Sequence, residues 1–200
     1  MARQTVPLES PMFTAGPYAH SETTRVSLWR ARAIACLRVA FGLVWAFAAW
    51  LKWQPKFIDS FNDKVTASKG GQSAVVQTWI SFWSHLVSTN PHLFAYLLAS
   101  TETAIAVFLI FGFLTNLTCL IGILLSLGIW SVAEGFGGPY KFGDSTDVGT
   151  ALPYALIFGI LLAIGAGRYY SIDQWLTPRL GPFGFLAAGI PWHLRQQQTW

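Results

Sequence analysis

The chain has 200 residues, 53% of them hydrophobic and only 11% charged, with a mean hydropathy of +0.44 and a formal net charge of +4. Soluble domains carry charge on about a quarter of their residues, so the composition excludes an ordinary water-soluble domain and fits one small polytopic membrane domain. The charges cluster between long apolar runs; the positive surplus reads as insertion and lipid contact, and nothing in it points to nucleic acid.

Residues 1–27 are polar, carry Pro7, Pro11, Gly16 and Pro17, and show no apolar period. They read as a flexible cytoplasmic arm. A first span is predicted over Ala33–Leu51, with Trp29 at its inner end and Trp45, Trp50 and Trp53 toward its outer end, the interfacial anchor pattern of a membrane-crossing helix. It has no short apolar core followed by a small-residue cleavage site, so it is read as a retained helix and not a signal peptide.

The segment Trp53–Pro91 is too long for a plain connector. Within it Lys69-Gly70-Gly71 marks a turn. Ser73–Ser88 then sets Val76, Trp79, Ile80, Trp83, Leu86 and Val87 on one helical face, opposite Gln77, Ser81, Ser84 and His85. That period predicts an amphipathic helix on the outer membrane surface or across the bundle mouth, either a lid of packing residues or a substrate gate.

A second span, Leu93–Phe113, carries Glu102 near its middle. A carboxylate at that depth costs about 2.5–3.5 kcal/mol even on the mildest insertion scale, so it is expected to face a partner charge, a cavity or a substrate path. A tight turn near Thr115-Asn116 makes the third span, Leu117–Ala133, its antiparallel neighbour. In the loop Glu134–Gly149, Gly135, Gly137, Gly138 and Gly143 alternate with Phe136, Tyr140, Lys141, Asp144 and Asp147. The fourth span, Thr150–Gly167, tolerates Pro153 near its start. After Arg168 the tail is broken by Pro178, Gly181, Pro182, Gly184 and Pro191, and is expected along the inner interface.

None of the apolar stretches alternates with period 2, which argues against a β-barrel. The expected fold is an all-α, four-transmembrane-helix bundle. A polar arm (1–27) precedes the bundle (28–176), and an interfacial tail (177–200) follows it. With the N-terminus inside, Arg3, Arg25, Arg30, Arg32, Arg168, Arg179 and Arg195 all fall on the cytoplasmic side. The lysines fall outside, offset there by acids, so charge sorting favours N-in, C-in.

Arg38 lies about one and a half turns inside the first span, and with Glu102 it reads as an ion pair across the bundle. Such a pair either pins helix registry or handles protons and ligand. Near the outer face stand Lys52, His92, Glu134, Lys141, Asp144 and Asp147, with Tyr140 and Tyr154. A solvated loop would hold the same residues; the sharper reading has acids passing protons, Glu134 foremost, and lysines attracting an anion. Cys36 and Cys119 are isolated thiols, read as packing residues with thiol redox as the weaker alternative. No histidine lies within a span, His85 and His92 are poorly spaced for a metal, and no dinucleotide fingerprint or Walker loop is present. No metal and no tightly bound cofactor is expected.

The run Arg38-Val-Ala-Phe-Gly42-Leu-Val-Trp45 with Lys52 at the helix exit resembles the first helix of the DoxX/DoxD membrane family. Ser100-Thr-Glu102 through Gly112-Phe-Leu-Thr115 resembles its second helix, and Asp147-Val-Gly149 through Gly167-Arg168 to Asp173 its fourth helix and trailing segment. The similarity covers roughly residues 30–176. The resemblance implies a multi-pass protein of the inner (plasma) membrane. In the DoxD branch such a protein is the membrane subunit of a thiosulfate:quinone oxidoreductase, works with a DoxA-like second subunit and passes electrons to membrane quinone.

On that reading Glu102, Arg38 and Glu134 are the catalytic candidates, with the buried acid as proton donor. Lys52, Lys141, Asp144, Asp147 and Tyr154 are the substrate-binding candidates, and quinone enters as substrate. The alternative is a non-catalytic accessory subunit of a larger respiratory or photosynthetic membrane complex. Ten tryptophans, the amphipathic segment and the Pro-rich tail would then be docking surface.

Overall fold

The structure is a computed structural model that describes residues 17–140 and 147–188, with side chains described from Leu28 onward. All regular structure among the described residues is helical. Three helices are long and apolar enough to cross a membrane, Leu28–Lys52, Pro91–Phe111 and Thr115–Val132, and a shorter apolar helix of 13 residues, Ala151–Ala163, accompanies them.

Helix α1 runs over Pro17–Lys52, beginning ten residues before the end of the expected arm. Neither glycine nor proline occurs between Pro17 and Phe41, so a helix nucleated in the apolar stretch propagates backward at little cost. Where α1 stops at Lys52, two short helices take over the wall, α2 (Pro55–Asp59) and α3 (Phe61–Ala67), both against the first half of α5. Helix α4 (Ala74–Ser88) packs on α3 and reaches α5 and α6.

The predicted apolar face of α4 holds only in part. Ile80 and Val87 of that face are buried while Trp79 and Leu86 are exposed, and Ser84 of the opposite face is buried, its hydroxyl meeting Thr66 Oγ1 at 3.0 Å. A helix with protein on one side and an apolar surround on the other buries whatever finds a partner, polar or not.

Helix α5 (Pro91–Phe111) has both ends written in local chemistry. Asn90 Oδ1 accepts the Leu93 amide at 3.1 Å, and Pro91 occupies the first helical position, where a missing amide is harmless. At the other end Gly112 adopts φ +66°, the Gly112 amide donates to Leu109 O and the Phe113 amide to Phe108 O, and the rings of Phe108 and Phe113 stack edge-on at 5.0 Å. This is a Schellman stop with its hydrophobic contact. Helix α6 (Thr115–Val132) follows at once, so α5 and α6 are antiparallel.

The fourth apolar helix, α7 (Ala151–Ala163), is shorter than the expected Thr150–Gly167. It spans about 20 Å against a hydrocarbon core of about 30 Å. Gly165, at φ +61°, turns the chain into a single 3-10 turn, Ala166–Arg168. The tail then forms α8 (Asp173–Arg179) and a second 3-10 turn, Gly181–Leu186, packed on the α5–α6 turn. The closest helix pairs are α1 with α5 and α6 with α7, whereas α5 and α6 touch much less.

Candidate functional site

The bundle has two polar loci, one at each end. At the α5–α6 turn Arg38 is fully buried, and its guanidinium donates to four carbonyls. Nε reaches Leu109 O at 3.0 Å, Nη1 reaches Ala166 O at 2.8 Å and Tyr169 O at 3.0 Å, and Nη2 reaches Tyr170 O at 2.9 Å. Leu109 O, at the end of α5, also accepts the Gly112 amide, whereas the other three belong to the turn after α7; a cation is favoured at such a helix end.

Beside Arg38, the Asp173 carboxylate accepts the Leu114 amide at 2.6 Å and the Thr115 amide at 2.8 Å, capping α6 from a segment 58 residues away. Burial pushes the Asp173 carboxyl above its ordinary value, opposed by its hydrogen bonds from Thr115 and Leu114 and by the charge of Arg38. The arrangement is a clasp that ties α1, α5, α6 and the tail together.

Arg38 therefore does not pair with Glu102. Its carbonyl partner Leu109 lies about two turns along α5 from Glu102. A planar five-donor fork suits a ring of carbonyls better than a carboxylate it can reach only by unwinding from them.

Glu102, 1% exposed, instead takes Lys52. Nζ stands 2.7 Å from Oε1, with the lysine side chain 24% exposed and its ammonium 5.3 Å from the centre of the Phe57 ring. The next residue on each helix repeats the link, Trp53 Nε1 donating to Thr103 Oγ1 at 3.0 Å. The pair fixes where α1 ends against α5.

Around it lies a cavity of about 200 Å³. The last turns of α1 contribute Trp45, Ala48 and Lys52; α5 contributes Glu102, α6 contributes Ser126 and Ile129, and Glu134 follows α6. Thr150, Ala151 and Tyr154 come from the start of α7. An aromatic cluster flanks it. Phe41 meets Phe158 at 4.8 Å, Trp45 meets Phe158 at 5.2 Å and Tyr154 at 6.0 Å, all tilted or edge-on.

Three of the lining residues carry a buried polar atom that has no hydrogen-bond partner among the described residues: Trp45 Nε1, Ser126 Oγ and Glu102 Oε2. Each such atom costs about 1–3 kcal/mol unless something pairs with it. Three on one cavity make it the candidate ligand-binding site of the described residues. Glu134 is held differently: its carboxylate accepts the Thr150 hydroxyl and, at 3.1 Å, the Ala151 amide, which caps α7 and brings that helix to the cavity.

Of the residues singled out from sequence, Glu102, Lys52, Glu134 and Tyr154 come together on this cavity, and Arg38 belongs to the opposite end. Asp147 is exposed and bonds the Val148 amide at 2.6 Å, away from the cavity lining. Lys141 and Asp144 lie outside the described residues, as do positions 1–16 and 189–200. The sequence pattern marks Trp45 as an interfacial anchor and gives Ser126 no role; a serine level with Glu102 inside an apolar span is the available signal. Asp173, the end of the segment trailing the fourth span, takes its capping role only from the fold.

The fold and cavity define a multi-pass helical membrane protein with a polar site enclosed between its helices. The chain belongs to the DoxX family, whose profile matches residues 33–135, from midway along α1 to just past Glu134. No curated protein and no solved structure matches the chain.

Proposed function

We propose that the chain is the quinone-binding membrane subunit of an oxidoreductase of the thiosulfate:quinone type, and that the α1–α5–α6–α7 cavity takes the quinone ring. The observation that carries this reading is the trio of unpartnered buried atoms on a cavity flanked by aromatic rings. A quinone is flat, presents two carbonyl acceptors, and on reduction turns them into hydroxyl donors. Trp45 Nε1, Ser126 Oγ and the Lys52 ammonium supply donors for a carbonyl. Glu102 Oε2 accepts from the hydroxyl of the quinol, and the carboxyl group is placed to hand over a proton.

Reduction of the ring consumes two electrons and two protons; Glu102, ionised beside Lys52 at rest, takes up each proton by way of the 24% exposed lysine side before handing it on. Lys52, Glu102 and Glu134 are the charged groups on the cavity, and they leave it formally one unit negative. A sulfur dianion is repelled from such a site. The electrons are therefore assigned to a partner subunit that oxidises the anion elsewhere, with this chain holding the acceptor in an N-in, C-in bundle of the plasma membrane.

The test is equilibrium binding of a tail-free quinone to the purified chain in nanodiscs. Glu102→Gln and Trp45→Phe are each expected to weaken binding about tenfold or more, the equivalent of one charge-assisted or buried hydrogen bond. Unchanged binding in both variants removes the reading and leaves the accessory-subunit alternative.

A further inference from the structure

We infer that Gly122 and Phe158 are positioning residues of the cavity: the Phe158 ring, seated end-on against the bare α6 backbone at Gly122, holds the Trp45 indole so that its N–H stays free for a ligand carbonyl. This deepens the quinone reading above and rests on it. Neither residue lines the cavity itself.

Three helices each set a pair of residues one turn apart at this level, Phe41 and Trp45 on α1, Gly122 and Ser126 on α6, and Phe158 and Tyr154 on α7. Trp45, Ser126 and Tyr154 line the cavity. Phe41, Gly122 and Phe158 are the members of each pair nearer the Arg38 clasp, and they form the layer beneath it. A Cβ added at Gly122 would overlap Phe158 Cζ and both of its Cε atoms. The need for glycine here is spatial: the tip of the ring occupies the place of a side chain.

Phe158 is fully buried, and its flank meets Phe41 at 4.8 Å and Trp45 at 5.2 Å. Tyr154 and Phe41 lie farther from the indole, at 6.0 and 6.4 Å. Trp45 Nε1 is buried with no partner among the described residues. An indole free to turn would relieve that cost by seeking an acceptor. Phe158 cannot yield, because the α6 backbone stands behind it, so the donor is held unpaired until a ligand supplies the oxygen. A donor fixed in advance favours a ring that carries a carbonyl over a hydrocarbon of the same outline.

The experiment measures binding of two probes to the full chain in nanodiscs, tetramethylbenzoquinone and hexamethylbenzene, which replaces each oxygen by a methyl group. Gly122→Ala pushes the Phe158 ring from behind, and Phe158→Leu removes the ring atoms that rest on Gly122. Each is expected to weaken the quinone about tenfold and the hydrocarbon less than about twofold, the mark of one misplaced hydrogen bond. In a Trp45→Phe background neither is expected to weaken the quinone further, since the donor they position is already gone. Gly159→Ala, beside Phe158 on α7 but with open space for its methyl, is the control expected to match the wild type.

If Trp45→Phe weakens quinone binding while Gly122→Ala or Phe158→Leu leaves it unchanged, weakens both probes alike, or adds its full loss to that of Trp45→Phe, the positioning role is overturned and the quinone reading stands. Should Gly122→Ala fail to insert, Phe158→Leu decides by itself. A Trp45→Phe variant that binds the quinone as the wild type does also overturns the role. No quinone binding by the wild type removes the cavity reading and takes the positioning role with it.

Discussion

Removing Lys52 while leaving Glu102 is the sharpest test of how this site is built. The two groups are 2.7 Å apart, Glu102 is 1% exposed, and its second oxygen has no partner among the described residues. Lys52→Met keeps most of the stem volume and deletes the charge, so a carboxylate is left in the bundle uncompensated. Breaking a buried pair in this way costs about 3–5 kcal/mol; partial exposure of the lysine places the expectation at the lower end, about 3 kcal/mol.

Glu102→Gln alone leaves an ammonium that can turn toward the mouth, so its expected cost is smaller, about 1–2 kcal/mol. The double variant removes both charges, and replacing a buried pair by neutral groups is often close to neutral. It is expected to cost no more than about 1 kcal/mol, which gives a coupling energy of about 3–5 kcal/mol. The assay is reversible unfolding in mixed micelles, followed by tryptophan emission. A Lys52→Met variant as stable as wild type refutes the reasoning, and so does a double variant no more stable than Lys52→Met itself.

The other end of the bundle gives two further expectations. Arg38→Met strands the carbonyls of Ala166, Tyr169 and Tyr170, leaves Leu109 O with the Gly112 amide alone, and should lower stability by about 3–5 kcal/mol, a fall of roughly 10 °C in the thermal midpoint; Arg38→Lys should recover only part of it, since a point charge with three donors cannot reproduce a fork serving four acceptors. A midpoint within about 2 °C of wild type for Arg38→Met shows that the clasp carries no weight. Asp173→Ala should release the start of α6 at a cost of about 1–2 kcal/mol, read as faster amide exchange at Leu114 and Thr115 with exchange in the middle of α6 unchanged. Equal exchange at both amides in variant and wild type sinks the capping role.

Much of this protein is decided by short stretches of sequence. A span needs about 20 apolar residues in a row, so Pro91–Phe111 and Thr115–Val132 are visible without any knowledge of their neighbours. The Asn90-Pro91 start and the Gly112 stop depend on groups within five residues of each other, and Glu102 announces itself because a mid-span acid is costly wherever it points. Ser73–Ser88 is a helix by its period alone, although which of its residues is buried depends on what lies beneath.

The partners of the charged groups are another matter. Arg38 and Lys52 are both cations on α1 within reach, by length, of an acid on α5, and hydropathy assigns no rotation or axial slide to either helix. A rotation of 100° per residue means that a small change in register sends a different side chain to Glu102. The observed register is fixed by contacts remote in sequence, with Arg38 drawn to carbonyls at Ala166–Tyr170 and the α6 amides capped by Asp173. With Arg38 engaged at one end, Lys52 meets the acid. Trp45 and Ser126 then fall beside it from helices that no local pattern relates. Span positions follow from burial free energy, which sums along the chain; the site follows from the packing of four helices, which does not.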